Sequence, residues 1–170
     1  MSFLSRLFGS NDAREAMRPL YNAVVAAGRE PHWYRLGGVA DTIDGRFEMI
    51  SAVLALVYAR LEDEPGQAQN IVWLTELFVD DMEGQLREIG IGDMVVGKHM
   101  GRLMAALGGR IGAYRDGMAT GELDAALVRN LYRGQEPPAA ALTHTADRLR
   151  TLRLALDGMG ADRLAAGEMP

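Results

Sequence analysis

Eleven consecutive residues, Met49 to Ala59 (MISAVLALVYA), carry no charge, and they limit the folds open to this chain more than any other stretch. A helix needs about 20 apolar residues to cross a bilayer, so the run is too short to span one. Its apolar residues occupy more than one face of a helix, so it is not a surface helix with a single buried stripe. It reads as a helix enclosed on nearly every side by other elements. Asp41 or Thr42 opens that helix, and Phe47, Ile50, Leu54, Val57, Tyr58 and Leu61 form its main seam.

The remaining chain supplies the enclosure, because its apolar periodicity is helical almost throughout. A first helix is expected over about residues 12 to 28, with Met17, Leu20, Tyr21, Val24 and Ala27 on one stripe and Pro19 kinking or restarting it. The stretch REPHWYRLGG that follows reads as irregular. After the enclosed helix and the turn EDEPGQ, a third helix runs from about Ala68 to Ile89, burying Ile71, Leu74, Phe78, Met82, Leu86 and Ile89. A fourth covers about Met94 to Met118, and two more lie near 122–132 and 139–157. No segment alternates with period two. The expected fold is all-α, a single-domain bundle of about six helices. Its 170 residues, 48% hydrophobic and 24% charged, suffice for one domain with a sizeable core. Residues 1–10 (MSFLSRLFGS) are expected to form a tail or a short amphipathic segment, 11–157 the helical domain, and 158–170 a flexible tail.

One stretch invites a nucleotide reading. Gly92 to His99 (GDMVVGKH) has the G-x-x-x-x-G-K spacing of a phosphate loop. Such a loop needs a hydrophobic strand before it and a hydroxyl after the lysine to hold magnesium. Here the preceding segment is a charged helix and position 99 is His. The glycines therefore read as a tight helix-to-helix turn, with Gly90 stopping one helix and Asp93 a candidate cap for the next. Metal chemistry has as little support: the three His, at 32, 99 and 144, lie on separate elements, and no Glu-x-x-His pair signals a carboxylate-bridged di-iron bundle. With no Cys and no G-x-S-x-G elbow, nucleophilic catalysis has no candidate. No catalytic residue, cofactor or metal is expected.

Charge is distributed unevenly. The chain's net charge is −5, which argues against nucleic acid as a direct ligand. Residues 76–93 hold six acids (Glu76, Asp80, Asp81, Glu83, Glu88, Asp93) against Arg87. That patch is either a solvated helix face or a docking surface for a basic partner. A second feature is Asp41-Thr42-Ile43-Asp44-Gly45-Arg46-Phe47, preceded by His32-Trp33-Tyr34. Carboxylates suit the positive end of a helix dipole, and Arg46 is placed to pair with one of them and lock the loop. The same aromatic and charged loop suits reception of a peptide segment.

Three stretches carry a resemblance: PHWYRLGGVADTIDGRFEMI, LTELFVDDMEGQLREIGIGDMVVGKHM and LGGRIGAYRDGM. Tyr34, the DT-x-DGRF block, the DDM-x-x-x-LRE-x-G-x-GD-x-x-x-GK block, and Gly109-Arg110 followed by Tyr114 recur in order over residues 17–120. In these the chain resembles the ubiquinol–cytochrome c chaperone family. The resemblance implies an all-helical, non-catalytic assembly factor for the cytochrome bc complex (respiratory complex III), acting on newly made cytochrome b. It further implies cytochrome b or another subunit of that complex as partner, with a small helper protein in mitochondrial relatives. A cytoplasmic location follows, with peripheral contact at the inner face of a bacterial cytoplasmic membrane. Under this reading Glu76, Asp80 and Glu83 meet basic client segments, with Asp81 in the same candidate set, since cytoplasmic loops of membrane proteins are rich in Lys and Arg. Trp33 and Tyr34, with Phe47 beneath them, shape an adjacent apolar surface, and Asp41, Asp44, Arg46, Asp93 and Lys98 complete the candidate set. Two other readings stand beside it: a small helical-bundle enzyme or haem or metal carrier, and a generic helical interaction scaffold.

Overall fold

The computed structural model describes residues 12–88, 90 and 93–170, with the side chains of 93–95, 99 and 103 left aside. Over these residues it is helical, and strands are absent among them. The helices are α1 (Arg18–Gly28), α2 (Pro31–Arg35), α3 (Ile43–Glu62), α4 (Ala68–Glu88), α5 (Asp93–Thr120), α6 (Leu123–Asn130), α7 (Ala139–Asp157) and α8 (Ala161–Ala165). The fold is all-α, and the six longer helices match the six expected from periodicity. Residues 1–10 and Ile89 lie outside the described residues.

Helix α3 is the centre. Every residue from Phe47 to Tyr58 is buried, and α1, α4, α5 and α7 pack around it. Thr42 is its cap: from an extended backbone its hydroxyl accepts a hydrogen bond from the Gly45 N–H at 3.1 Å. The polar atoms on α3 are mostly satisfied sideways. Thr75 donates its proton to the Ile71 carbonyl at 2.8 Å, so Tyr58 must be the donor in the 2.7 Å bond between their hydroxyls. Helix α1 lies close against α3, because a Cβ at Gly28 would fall 3.0 Å from the Ile50 Cα. Pro19 sits in the first turn of α1, after a turn at Ala16 and Met17, so it restarts the helix, where its missing N–H costs nothing.

Two segments depart from expectation. The stretch read as irregular contains α2, with Pro31 in its first turn and Trp33 directed into the core. Its paired glycines are structural: Gly38 has φ 64°, and a Cβ at Gly37 would lie 2.4 Å from the Thr145 hydroxyl. The expected flexible tail at 158–170 contains α8, which packs on α1 and leaves Leu164 fully buried. Arg60 holds the entry to α8 by donating to the Met159 carbonyl at 2.9 Å. Gly and Ala obscured this segment, because one leucine and its small neighbours give little periodic signal.

The glycine-lysine stretch joins helix to helix. Gly90, at φ 83°, ends α4 in the left-handed region, and α5 begins at Asp93. The strand that a phosphate loop requires is replaced by α4.

Candidate functional site

The first and third of the resembling stretches meet in space. Arg46 donates to the Asp41 carboxylate at 2.8 Å and 2.7 Å, which ties the loop to the start of α3. Gly45 permits this turn, since a Cβ there would fall 1.9 Å from the Ala40 carbonyl oxygen. One turn on, Glu48 is fully buried and paired through both carboxylate oxygens with Arg110 of α5. Burial pushes the Glu48 carboxyl upward, against the lowering by the Arg110 guanidinium. Arg110 also lies over the Phe47 ring, 5.4 Å from its centroid. Arg133 reaches the same cluster, 2.9 Å from Asp44 and 3.9 Å from Glu48. Tyr114, one turn after Arg110, is buried, and burial raises its hydroxyl well above the ordinary value.

These positions revise the expected aromatic surface. Trp33 and Phe47 are each 3% exposed, so they support the loop from within and offer no contact area. Trp33 donates its indole N–H to the Ala27 carbonyl at 2.7 Å, and half-buried Tyr34 donates to Gly28 O at 2.8 Å. Sequence reasoning did not single out Glu48 as a functional candidate. Its signal was a lone acid between Phe47 and Met49 at the head of an apolar run.

The acids of α4 lie along one side and take local partners. Arg14 bridges Glu76, at 3.7 Å, and Asp80. Glu83 pairs with Arg87 at 2.7 Å. Asp81 turns away, accepting from the Tyr21 hydroxyl at 2.6 Å and from Gln85 at 3.1 Å. Glu76 and Asp80 remain more than half exposed despite their partner. Lys98 is exposed in the second turn of α5, while the Asp93 and His99 side chains are outside the description.

A groove of about 510 Å³ opens between α3, α5 and α7. Leu56, Ala59, Met118, Ala119 and Leu154 form its apolar part, and Leu154 is 73% exposed within it. Ion pairs rim it: Arg115 to Glu62 at 3.0 Å, and Arg153 to Asp63 at 3.1 Å and to Asp157 at 2.9 Å. Among the described residues, no group of three or more His, Asp or Glu side chains could hold a metal ion. No helix among them is long and apolar enough to cross a membrane.

The sequence profile described as ubiquinol-cytochrome C chaperone matches residues 35–169, well over half of the chain. The chain belongs to the ubiquinol–cytochrome c chaperone family. The crystal structure of the Cbp3 homolog from Brucella abortus is similar to it, with a TM-score of 0.80 and 31% identity over 99% of this chain and 95% of that one. Among curated proteins no sequence match is found. The chaperone-family match extends beyond residue 120 to take in α6, α7 and α8, which the sequence motifs did not reach. It also covers the groove, the Glu48 cluster and the acids of α4. As a member of this chaperone family, the chain has a role in assembly of the ubiquinol–cytochrome c reductase complex.

The same fold joins two residues that the sequence places 112 positions apart: His32 Nδ1 and His144 Nε2 are 3.0 Å from each other. Glu30 approaches the far side of the His32 ring at 2.8 Å. This contact links α2 to α7 across the side of the bundle.

Proposed function

We propose that the chain is a non-catalytic chaperone that holds newly made cytochrome b during assembly of the cytochrome bc complex, at the cytoplasmic face of the membrane. The observation that carries this reading is the groove between α3, α5 and α7, where Leu154 stands 73% exposed beside an apolar floor with charge pairs at its rim. A very hydrophobic client needs temporary cover for apolar surface, and an exposed leucine in a concave apolar site provides it.

The acids of α4 add charge selection. Ion pairs between exposed groups contribute only about 0–1 kcal/mol. A Lys- or Arg-rich client loop can therefore displace Arg14 from Glu76 and Asp80, or Arg87 from Glu83, at small cost. In this reading Asp41, Asp44 and Arg46 act at the edge of the client surface, with Trp33, Tyr34 and Phe47 as its support. Asp81, Asp93 and Lys98 complete the proposed contact set. Peripheral membrane contact by residues 1–10 and cooperation with a small helper protein belong to the same proposal.

Photo-crosslinkers at positions 119 and 154 in the groove and at 76, 80 and 83 on α4 test it in cells that synthesise cytochrome b. Adducts with cytochrome b from both sets are expected. Adducts arising only from other faces of the chain would reject the placement, and normal cytochrome b haem bands after gene deletion would reject the client.

A further inference from the structure

A second cleft, of about 440 Å³, lies on a different side of α5, between that helix and the end of α6. Residues 105, 109 and 113 line it at helical spacing, whereas the groove described above uses 115, 118 and 119. Its lining includes Arg110, Arg129 and Arg133 and no Asp or Glu. For a chain of net charge −5 that concentration is unusual. Counting the buried Glu48 and the outlying Asp44 against the three guanidinium groups still leaves the site net positive. Arg129 is exposed and has no ion-pair partner among the described residues.

Two further observations bear on what occupies it. Arg133 has φ 55°, the one non-glycine residue in the left-handed region among those described. Such a backbone is strained for a residue other than glycine, and the exposed ion pair to Asp44 returns little of that cost. The fold thus holds an arginine at the cleft wall where glycine or asparagine is the easier choice. The α5 wall of the cleft carries small residues at helical spacing, Ala105, Gly109 and Ala113, and a Cβ added at Gly109 would meet no neighbour inside 4 Å among the described residues.

The geometry points to a docking site for a helical segment of another polypeptide that carries carboxylates along a small-residue face. Arg129 supplies the charge complement, with Arg110 and Arg133 held beside it by Glu48 and Asp44. Ala105, Gly109 and Ala113 let a second helix approach close to the α5 backbone. This partner is acidic, and so it is distinct in chemistry from a basic client on α4.

The test uses the full chain and a fluorescein-labelled, alanine-rich helical peptide with Glu at every fourth position, followed by fluorescence anisotropy. Saturable, salt-sensitive binding is expected, weakened about tenfold by Arg129→Gln and by Gly109→Leu, which fills the trough. Both positions face solvent and leave the melting temperature within a few degrees of the unaltered chain. Equal affinity of the Arg129→Gln chain, or of a peptide with Gln in place of Glu, overturns the proposal. So does displacement of the peptide by millimolar inorganic phosphate alone, which marks a small-anion site.

Discussion

Glu48 shows how one residue ties two distant stretches of sequence into a site. A buried carboxylate is tolerated when a guanidinium meets both of its oxygens, and Arg110 does so from α5. Removing only the cation is the costly change. Arg110→Ala is expected to destabilise the chain by about 3–5 kcal/mol in urea unfolding, because Glu48 is left charged in the core. Replacing both partners, as Glu48→Leu with Arg110→Met, is expected to recover most of that loss. His32 gives a pH dependence of opposite character. Burial holds it below its ordinary 6.5, against the opposing effect of Glu30, with Arg148 and His144 adding to the depression. As pH falls through 6.5 the unfolded chain takes up this proton before the folded one, so the stability is complete above that pH and is lost below it. Thermal melting between pH 7.5 and 5.5 should therefore show a smaller decline for His32→Gln than for the unaltered chain.

At the scale of helices, glycine marks where backbones touch and where they do not. Gly45 abuts the Ala40 carbonyl, with an added Cβ at 1.9 Å, while a Cβ added at Gly108 meets nothing within 4 Å among the described residues. Gly45→Ala is expected to cost about 2 kcal/mol or more through a displaced loop. Gly108→Ala is expected to stabilise by about 1 kcal/mol from helix propensity alone. Chemical unfolding of the two variants checks the contrast, and equal changes would contradict the placement of α5. The same reasoning explains what was legible. Cap, seam and stop signals gave α3 and α7 nearly to the residue, because Thr42, Pro138 and Gly158 are local signals read by the local backbone. Helices α2 and α8 escaped notice since five residues do not complete an apolar period, and their burial depends on partners far along the chain.

Across the whole molecule, the groove and the arginine cleft lie on different sides of α5, so they should respond independently. Leu154→Asp is expected to change stability by no more than about 0.5 kcal/mol, since this side chain is 73% exposed. It should lower the cytochrome b haem band in membranes and leave acidic-peptide affinity at the cleft within about twofold. Loss of both activities together would mean one continuous surface. The candidate site was only partly readable in advance. The acids of α4 and the Asp41–Arg46 lock were evident from charge and spacing, whereas Trp33, read as part of an apolar surface, lies 3% exposed. The groove needed residues 56, 118 and 154 brought together, and no local pattern announces that. By itself the sequence determined the six longer helices, their order and the enclosed position of α3, because periodicity and capping act over a few residues. Tertiary structure alone decided which charges are buried, which histidines touch and where the clefts open, because those depend on contacts between residues as far apart as 32 and 144.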